Sequence, residues 1–177
     1  MHHKTEKYIN QNLVLVTILV ASFFNSFMSA AINIALPDIS KEFSMSAITL
    51  SWVSMSFLLA SAIFLIPLGK YADIIGRKKV FLLGSIIFLT ASIICTLINN
   101  SFMFIATRFV QGIGSAMIFS TSMAIIVSVF PPQNRGRMIG MVVSAVYLGL
   151  TVAPALGGYL TQSFGWRSIF YISTITG

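Results

Sequence analysis

Charge is what this sequence has least of: 8% of its 177 residues are Asp, Glu, Lys or Arg, against about 25% in a soluble domain. That leaves too little polar surface to coat a water-soluble globule. Acidic residues are the scarcest, four against eleven basic ones, and none lies inside a long apolar run. Cysteine occurs once, at Cys95, which excludes a disulfide within the chain and a cysteine-built metal site. His2 and His3 stand at the amino end and read as a floppy terminus, so no metal is expected. Also missing is a strand that leads through a glycine-rich turn into a helix. Gly112-Ile-Gly114 lies within an apolar segment and is not the phosphate-cradling turn of a nucleotide site. Neither enzyme chemistry nor a cofactor is expected.

Apolar residues are abundant instead. They make up 56% of the chain, with 15 Phe and 9 Met, and the mean hydropathy is +0.91. The solvent that suits this composition is a bilayer. A membrane-crossing helix needs about 20 mostly apolar residues, and such runs occur at 13–37, 47–69, 80–98, 102–130 and 138–160. A sixth begins at Trp166 and has only twelve residues before Gly177. At about 1.5 Å per residue that is roughly 18 Å, short of a hydrocarbon core of about 30 Å. The chain therefore reads as the front part of something longer: residues 1–12 an amino-terminal tail, and 13–177 an all-α membrane unit with an incomplete sixth helix.

Orientation follows from the basic residues, which cytoplasmic loops keep and short external loops lose. An amino terminus inside places Lys4, Lys7, Lys70, Arg77, Lys78, Lys79, Arg135 and Arg137 in the cytoplasm, and leaves Lys41 and Arg167 outside. The net charge of +7 is thereby explained by topology, and nucleic acid is not an expected partner. Lys4 and Lys7 before an apolar run resemble a secretory signal. However, the run exceeds the roughly 7–15 residues of a signal's apolar region, and further runs follow it.

Polar residues inside the runs carry the functional information. Asn25, Ser29 and Asn33 recur every four residues and share a helix face. Such a face either hydrogen-bonds to a neighbouring helix or lines a hydrated substrate path. Arg108 lies well inside the fourth run, where a buried arginine costs at least about 2.5–3.5 kcal/mol on insertion scales. Water, backbone carbonyls, a substrate or a carboxylate elsewhere are candidate partners, and snorkelling to the outer surface is the alternative. Gly112, Ala116, Ser120 and Ala124 form a smooth strip below it, and Ala145, Gly149, Ala153 and Gly157 form another in the fifth run, with Gly140 and Gly158 besides. Pro154 removes the bond to the Leu150 carbonyl and is expected to kink that helix. Between 68 and 80 the chain is short, polar and cationic, and reads as a loop in which Gly69 and Gly76 make tight turns. In it Asp73 either meets the positive amino end of a neighbouring helix or pairs with Arg77.

Together these stretches resemble the major facilitator superfamily. Gly69-Lys-Tyr-Ala-Asp73-Ile-Ile-Gly76-Arg77-Lys78-Lys79 is similar to its signature loop between helices 2 and 3, and Arg108-Phe-Val-Gln111-Gly112-Ile-Gly114 to its helix 4 motif. Gly149, Ala153-Pro154 and Gly157-Gly158 resemble its helix 5 antiporter motif. Asn33-Ile-Ala-Leu-Pro37, closing helix 1, and Gly165-Trp166-Arg167, opening helix 6, resemble the fourteen-helix drug:proton antiporter branch. Met28 stands where that branch commonly has an acidic residue.

The resemblance implies the amino-terminal six-helix half of a major facilitator fold in the cell membrane, and alternating access by rocking of two halves. It further implies proton-coupled efflux of small, drug-like compounds. Gly69, Asp73, Gly76, Arg77 and Lys78 would form a cytoplasmic gate, Arg108, Gln111 and Gly112 a proton-linked motif, and Asn25, Ser29 and Asn33 a cavity wall. Expected partners are membrane lipid, a small-molecule substrate, protons and the carboxy-terminal half. Three alternatives stay open. Arg77, Lys78 and Lys79 merely set topology and touch anionic lipid; the transporter is an uptake symporter; or the chain is a non-transporting fragment or assembly partner.

Overall fold

The computed structural model describes residues 10–176; His2, His3, Lys4 and Lys7 lie outside that range. Six helices make up the described chain: α1 (Gln11–Phe43), α2 (Ala47–Ile75), α3 (Arg77–Leu97), α4 (Ser101–Val129), α5 (Pro132–Phe164) and α6 (Arg167–Thr176). The first five are long and apolar enough to cross a membrane. Their starts are written in small polar residues, whose side chains accept the amide hydrogens that the first helical turn leaves unpaired. Asn10 accepts from the Leu13 amide at 3.3 Å, Ser46 from Thr49 at 3.2 Å and Asn100 from Phe102 at 2.9 Å. Pro132 opens α5, where a missing N–H costs nothing.

Helices outrun the apolar runs that marked them. Pro37 does not close α1, which continues six residues beyond it to Phe43. Proline is tolerated inside membrane helices where neighbours re-satisfy the freed backbone. α5 likewise runs through Pro154 to Phe164 without ending there. The largest departure is the expected loop at 68–80. Residues up to Ile75 are helical and helix resumes at Arg77, so Gly76 alone makes the turn, with φ +108° and ψ +123°. That φ favours glycine. Gly69, by contrast, lies within α2, and a Cβ there would meet the Ser120 Cβ at an ordinary 3.5 Å; it makes no turn.

Only one of the three main helix pairs joins neighbours in sequence. α1 packs on α5, α4 on both α2 and α3, and α6 on α3. The seams form where a missing side chain lets backbones touch, which is how helices gain packing energy when lipid supplies no hydrophobic drive. A Cβ on Gly112 would stand 2.8 Å from the Ala60 Cβ of α2, one on Gly114 2.8 Å from the Gly84 carbonyl oxygen of α3, and one on Gly149 2.5 Å from the Phe23 carbonyl oxygen of α1. α4 is the centre of the bundle, with Arg108, Gln111, Ser115, Thr121 and Ser122 all buried.

Candidate functional site

Arg108 sits two turns into α4 and is fully buried. Snorkelling is thereby ruled out. Its guanidinium lies 4.4 Å from the centre of the Phe57 ring of α2. Nε donates to the Val53 carbonyl at 3.4 Å, and Nη1 donates to Gln111 Oε1 one turn on. Nη2 has no hydrogen-bond partner. Among the described residues the partners are thus a backbone carbonyl, a side-chain amide and an aromatic face, without a carboxylate. Gln111 Nε2 in turn donates to Ser92 Oγ of α3 at 2.7 Å, and Ser92 Oγ donates to its own helix at the Phe88 carbonyl, 2.8 Å away. One charge on α4 therefore ties three helices together, and the close approach at Gly112 is what brings α2 within reach. Ser61 Oγ donates to the Gly112 carbonyl at 3.1 Å and strengthens the same seam.

The α1 polar face is spread over three environments. Asn25 is buried, and its Oδ1 accepts from Ser115 Oγ of α4 at 2.9 Å, while its Nδ2 has no hydrogen-bond partner. Ser29 is half-buried. Asn33 is exposed; it donates to the Ser29 carbonyl at 3.2 Å and accepts from Ser54 Oγ of α2 at 2.7 Å. Of the two readings of this face, interhelical bonding describes Asn25 and Asn33.

At the α2–α3 turn, Arg77 Nε donates to Asp73 Oδ1 at 2.8 Å, which selects the ion pair from the two roles open to Asp73. Arg77 Nη1 reaches across to the Ala124 carbonyl near the end of α4 at 2.9 Å. Lys78 is exposed beside it. A second polar cluster closes the opposite end of the bundle. Arg167 Nη2 meets Glu42 Oε1 at 2.7 Å, its Nε donates to the Thr96 carbonyl at 3.0 Å, and Trp166 Nε1 donates to Glu42 Oε2 at 2.7 Å. It joins the ends of α1 and α3 to the start of α6. In α5, Gly149 and Gly157 face α1, Ala153 is buried, Pro154 is exposed, and Gly158 lies 3.7 Å from Ile34 at the position a Cβ would take.

The profile of the family described as "Major Facilitator Superfamily" matches residues 18–177. The chain belongs to this superfamily. Among its relatives is the multidrug resistance protein Stp of Mycobacterium tuberculosis, 34% identical over 168 residues, which make up 94% of this chain and 31% of Stp. The riboflavin transporter RibZ of Clostridioides difficile is 30% identical over 165 residues, 93% of this chain and 36% of RibZ. The multidrug transporter protein MdtP of Bacillus subtilis is 30% identical over 175 residues, 98% of this chain and 32% of MdtP. The chain spans about a third of the length of these curated relatives. In fold, it superposes on a bacterial homolog of the human lysosomal transporter Spinster, inward-facing and occupied, with a TM-score of 0.80 at 23% identity. That match covers 92% of this chain and 41% of the other. The major facilitator fold and a multi-pass membrane protein follow.

Several residues of this major facilitator site were invisible to pattern. Ser92 is one of four hydroxyl residues in α3, with Ser85, Thr90 and Thr96, and nothing in their spacing singles it out. Phe57 and the Val53 carbonyl belong to a run marked by its apolar length alone, and Glu42 lies outside the apolar runs. The signal that finds Glu42 is distant complementarity: the chain has few acids, and this one ends the helix that the Arg167 segment packs against.

Proposed function

We propose that the protein is a proton-driven exporter of small, drug-like, apolar or amphipathic compounds, and that this chain supplies most of its amino-terminal half. The cell membrane holds it with the amino terminus and the α2–α3 turn in the cytoplasm. Two halves rock about a midplane site, with no chemical transformation of the substrate. The observation that carries this reading is Arg108, a cation kept buried without a carboxylate. A full charge held only by neutral dipoles is the group whose interactions change most when a proton or a substrate arrives nearby. The names of Stp and MdtP support multidrug efflux. RibZ, named as a riboflavin transporter, supports solute transport more broadly and leaves an uptake symporter as the second reading.

In this mechanism, Asp73, Arg77 and the Ala124 carbonyl latch α2, α3 and α4 at the cytoplasmic face, around the strained turn at Gly76. Lys78 and the exposed apolar faces meet lipid. The seams at Gly112, Gly149 and Gly157 let helix pairs move as stiff units. An apolar groove of about 360 Å³ lies between α1, α3 and α4 beside this latch, with Arg77 and Lys78 among its lining.

The deciding experiment measures efflux of a fluorescent lipophilic dye, before and after collapse of the proton gradient, from cells expressing the gene that encodes this chain. Proton-dependent efflux that is abolished by Asp73→Asn at unchanged membrane level is the expected result. Undiminished efflux in that variant would sink the latch. An immunoblot of native membranes with an antibody to residues 1–12 tests the rest: a band well above 19.3 kDa fits the half-transporter, and a band near that mass alone favours a non-transporting fragment.

A further inference from the structure

We propose that Ser92, on α3, is a positioning residue for Arg108 and acts by fixing which way the Gln111 amide points. The geometry stands by itself; the functional consequence rests on the transport reading above.

A primary amide presents an oxygen on one side and an NH₂ on the other, and a guanidinium has donors only. Gln111 holds Arg108 only while its oxygen faces the arginine. The neighbour on the other side of the amide enforces this. Ser92 has a single hydroxyl hydrogen, which is committed to the Phe88 carbonyl at 2.8 Å. What Ser92 Oγ offers Gln111 is therefore a lone pair, and Gln111 Nε2 donates to it at 2.7 Å. The opposite orientation of the amide would set its oxygen against a serine oxygen and its NH₂ against Nη1 of Arg108. All three side chains are fully buried, so water is not at hand to relieve either clash.

The chain of donors thus runs in one direction: Arg108 to Gln111, Gln111 to Ser92, Ser92 to the α3 backbone. Removing the Ser92 hydroxyl leaves the Gln111 NH₂ without an acceptor on α3 and releases the amide from one of its two restraints, so that it tilts from its wild-type position. Arg108 then loses a directed acceptor while it keeps Val53 and Phe57, and its fork reorients. Ser92 belongs to none of the family-like motifs read from the sequence, yet through it α3 sets the aim of the arginine on α4.

The test uses the 177-residue chain in detergent micelles, labelled with ¹⁵N at glutamine and arginine side chains. The Gln111 amide pair is assigned by its disappearance in Gln111→Ala. Ser92→Ala is expected to shift that pair and the Arg108 Nε–H signal, whereas Ser92→Thr, which restores the hydroxyl, returns both to the wild-type positions. An unmoved Gln111 pair in Ser92→Ala overturns the proposal, as does a shift that Thr does not reverse. In cells, Ser92→Ala is expected to lower dye efflux by about ten-fold, in line with loss of one buried hydrogen bond. The same substitution made in a Gln111→Ala background is expected to lower it no further. An equal fall in both backgrounds means that Ser92 acts independently of Gln111, and overturns the proposal too. Absence of any efflux from the wild-type protein counts against the transport reading alone, and the glutamine spectrum still decides the positioning.

Discussion

Arg108 and Arg167 each lay a guanidinium against an aromatic ring, Phe57 at 4.4 Å and Trp166 at 4.3 Å, and each donates to a backbone carbonyl of another helix. They part at the third partner. Arg167 meets the Glu42 carboxylate at 2.7 Å near the end of the bundle, while Arg108 has the neutral Gln111 and a free Nη2 in its middle. An arginine with a carboxylate is finished: its field is cancelled and its geometry is that of a rivet. One held by dipoles alone keeps its field, which is poor design for stability and good design for sensing charge.

Replacing the central arginine separates the two cases most sharply. Arg108→Met nearly keeps the volume; it removes a charge that is costly to bury and also the donor to Gln111 Oε1 and the Val53 carbonyl, two effects on stability that oppose each other. Efflux is expected to fall by about 100-fold or more, equivalent to roughly 2.7 kcal/mol, while the thermal unfolding midpoint stays level. A collapse of the midpoint would show the arginine to be structural after all. Gly112→Ala comes next, because a Cβ at that seam forces α2 away from α4 and draws Val53 and Phe57 off Arg108. Its overpacking is expected to cost about 1–3 kcal/mol, read as a lowered unfolding midpoint. The same change at Gly158, where space exists, is expected to be silent.

The outer rivet gives a smaller signal of opposite character. Glu42→Gln keeps an acceptor for Trp166 and loses the charge on a pair whose side chains are 27% and 39% exposed. About 1 kcal/mol is expected, or a midpoint lower by about 2–4 °C, with efflux within two-fold of wild type. A drop in efflux as large as that of Arg108→Met would erase the contrast. Smallest is Asp73→Asn measured as stability. An exposed pair across the Gly76 turn contributes no more than about 1 kcal/mol and is screened by salt, so its proposed role as a latch has to appear in efflux alone.

Apolar run length read the membrane crossings well and the helix ends poorly, for one physical reason. Hydropathy reports where a helix leaves hydrocarbon, whereas backbone hydrogen bonding continues until a residue stops it. In α2 the residue that stops it is Gly76, seven positions past the expected end, and the charges at Lys70 and Asp73 do nothing to unwind the helix before it. In the site, Arg108 stood out as a charge inside an apolar run and Gln111 through the resemblance to the helix 4 motif, while their pairing across one helical turn is seen only in the structure. Ser92 and Glu42 were not legible, because which faces of two helices meet is settled by packing between segments, and periodicity within one segment holds no record of its partner.

The α1–α5 seam has a consequence for the order of synthesis. α5 begins about 90 residues after α1 ends, so at about 5–20 residues per second the first helix waits roughly 5 to 20 seconds in or beside the membrane before Gly149 exists to receive Phe23 and Ser26. Throughout that interval Ser26, buried in the finished bundle, faces lipid or whatever insertion machinery holds the nascent chain, while Asn25 has only to wait for Ser115 of α4. A variant that slows the arrival of α5 would lengthen this exposure and hand the first helix to the quality-control proteases, even if the completed bundle were as stable as before.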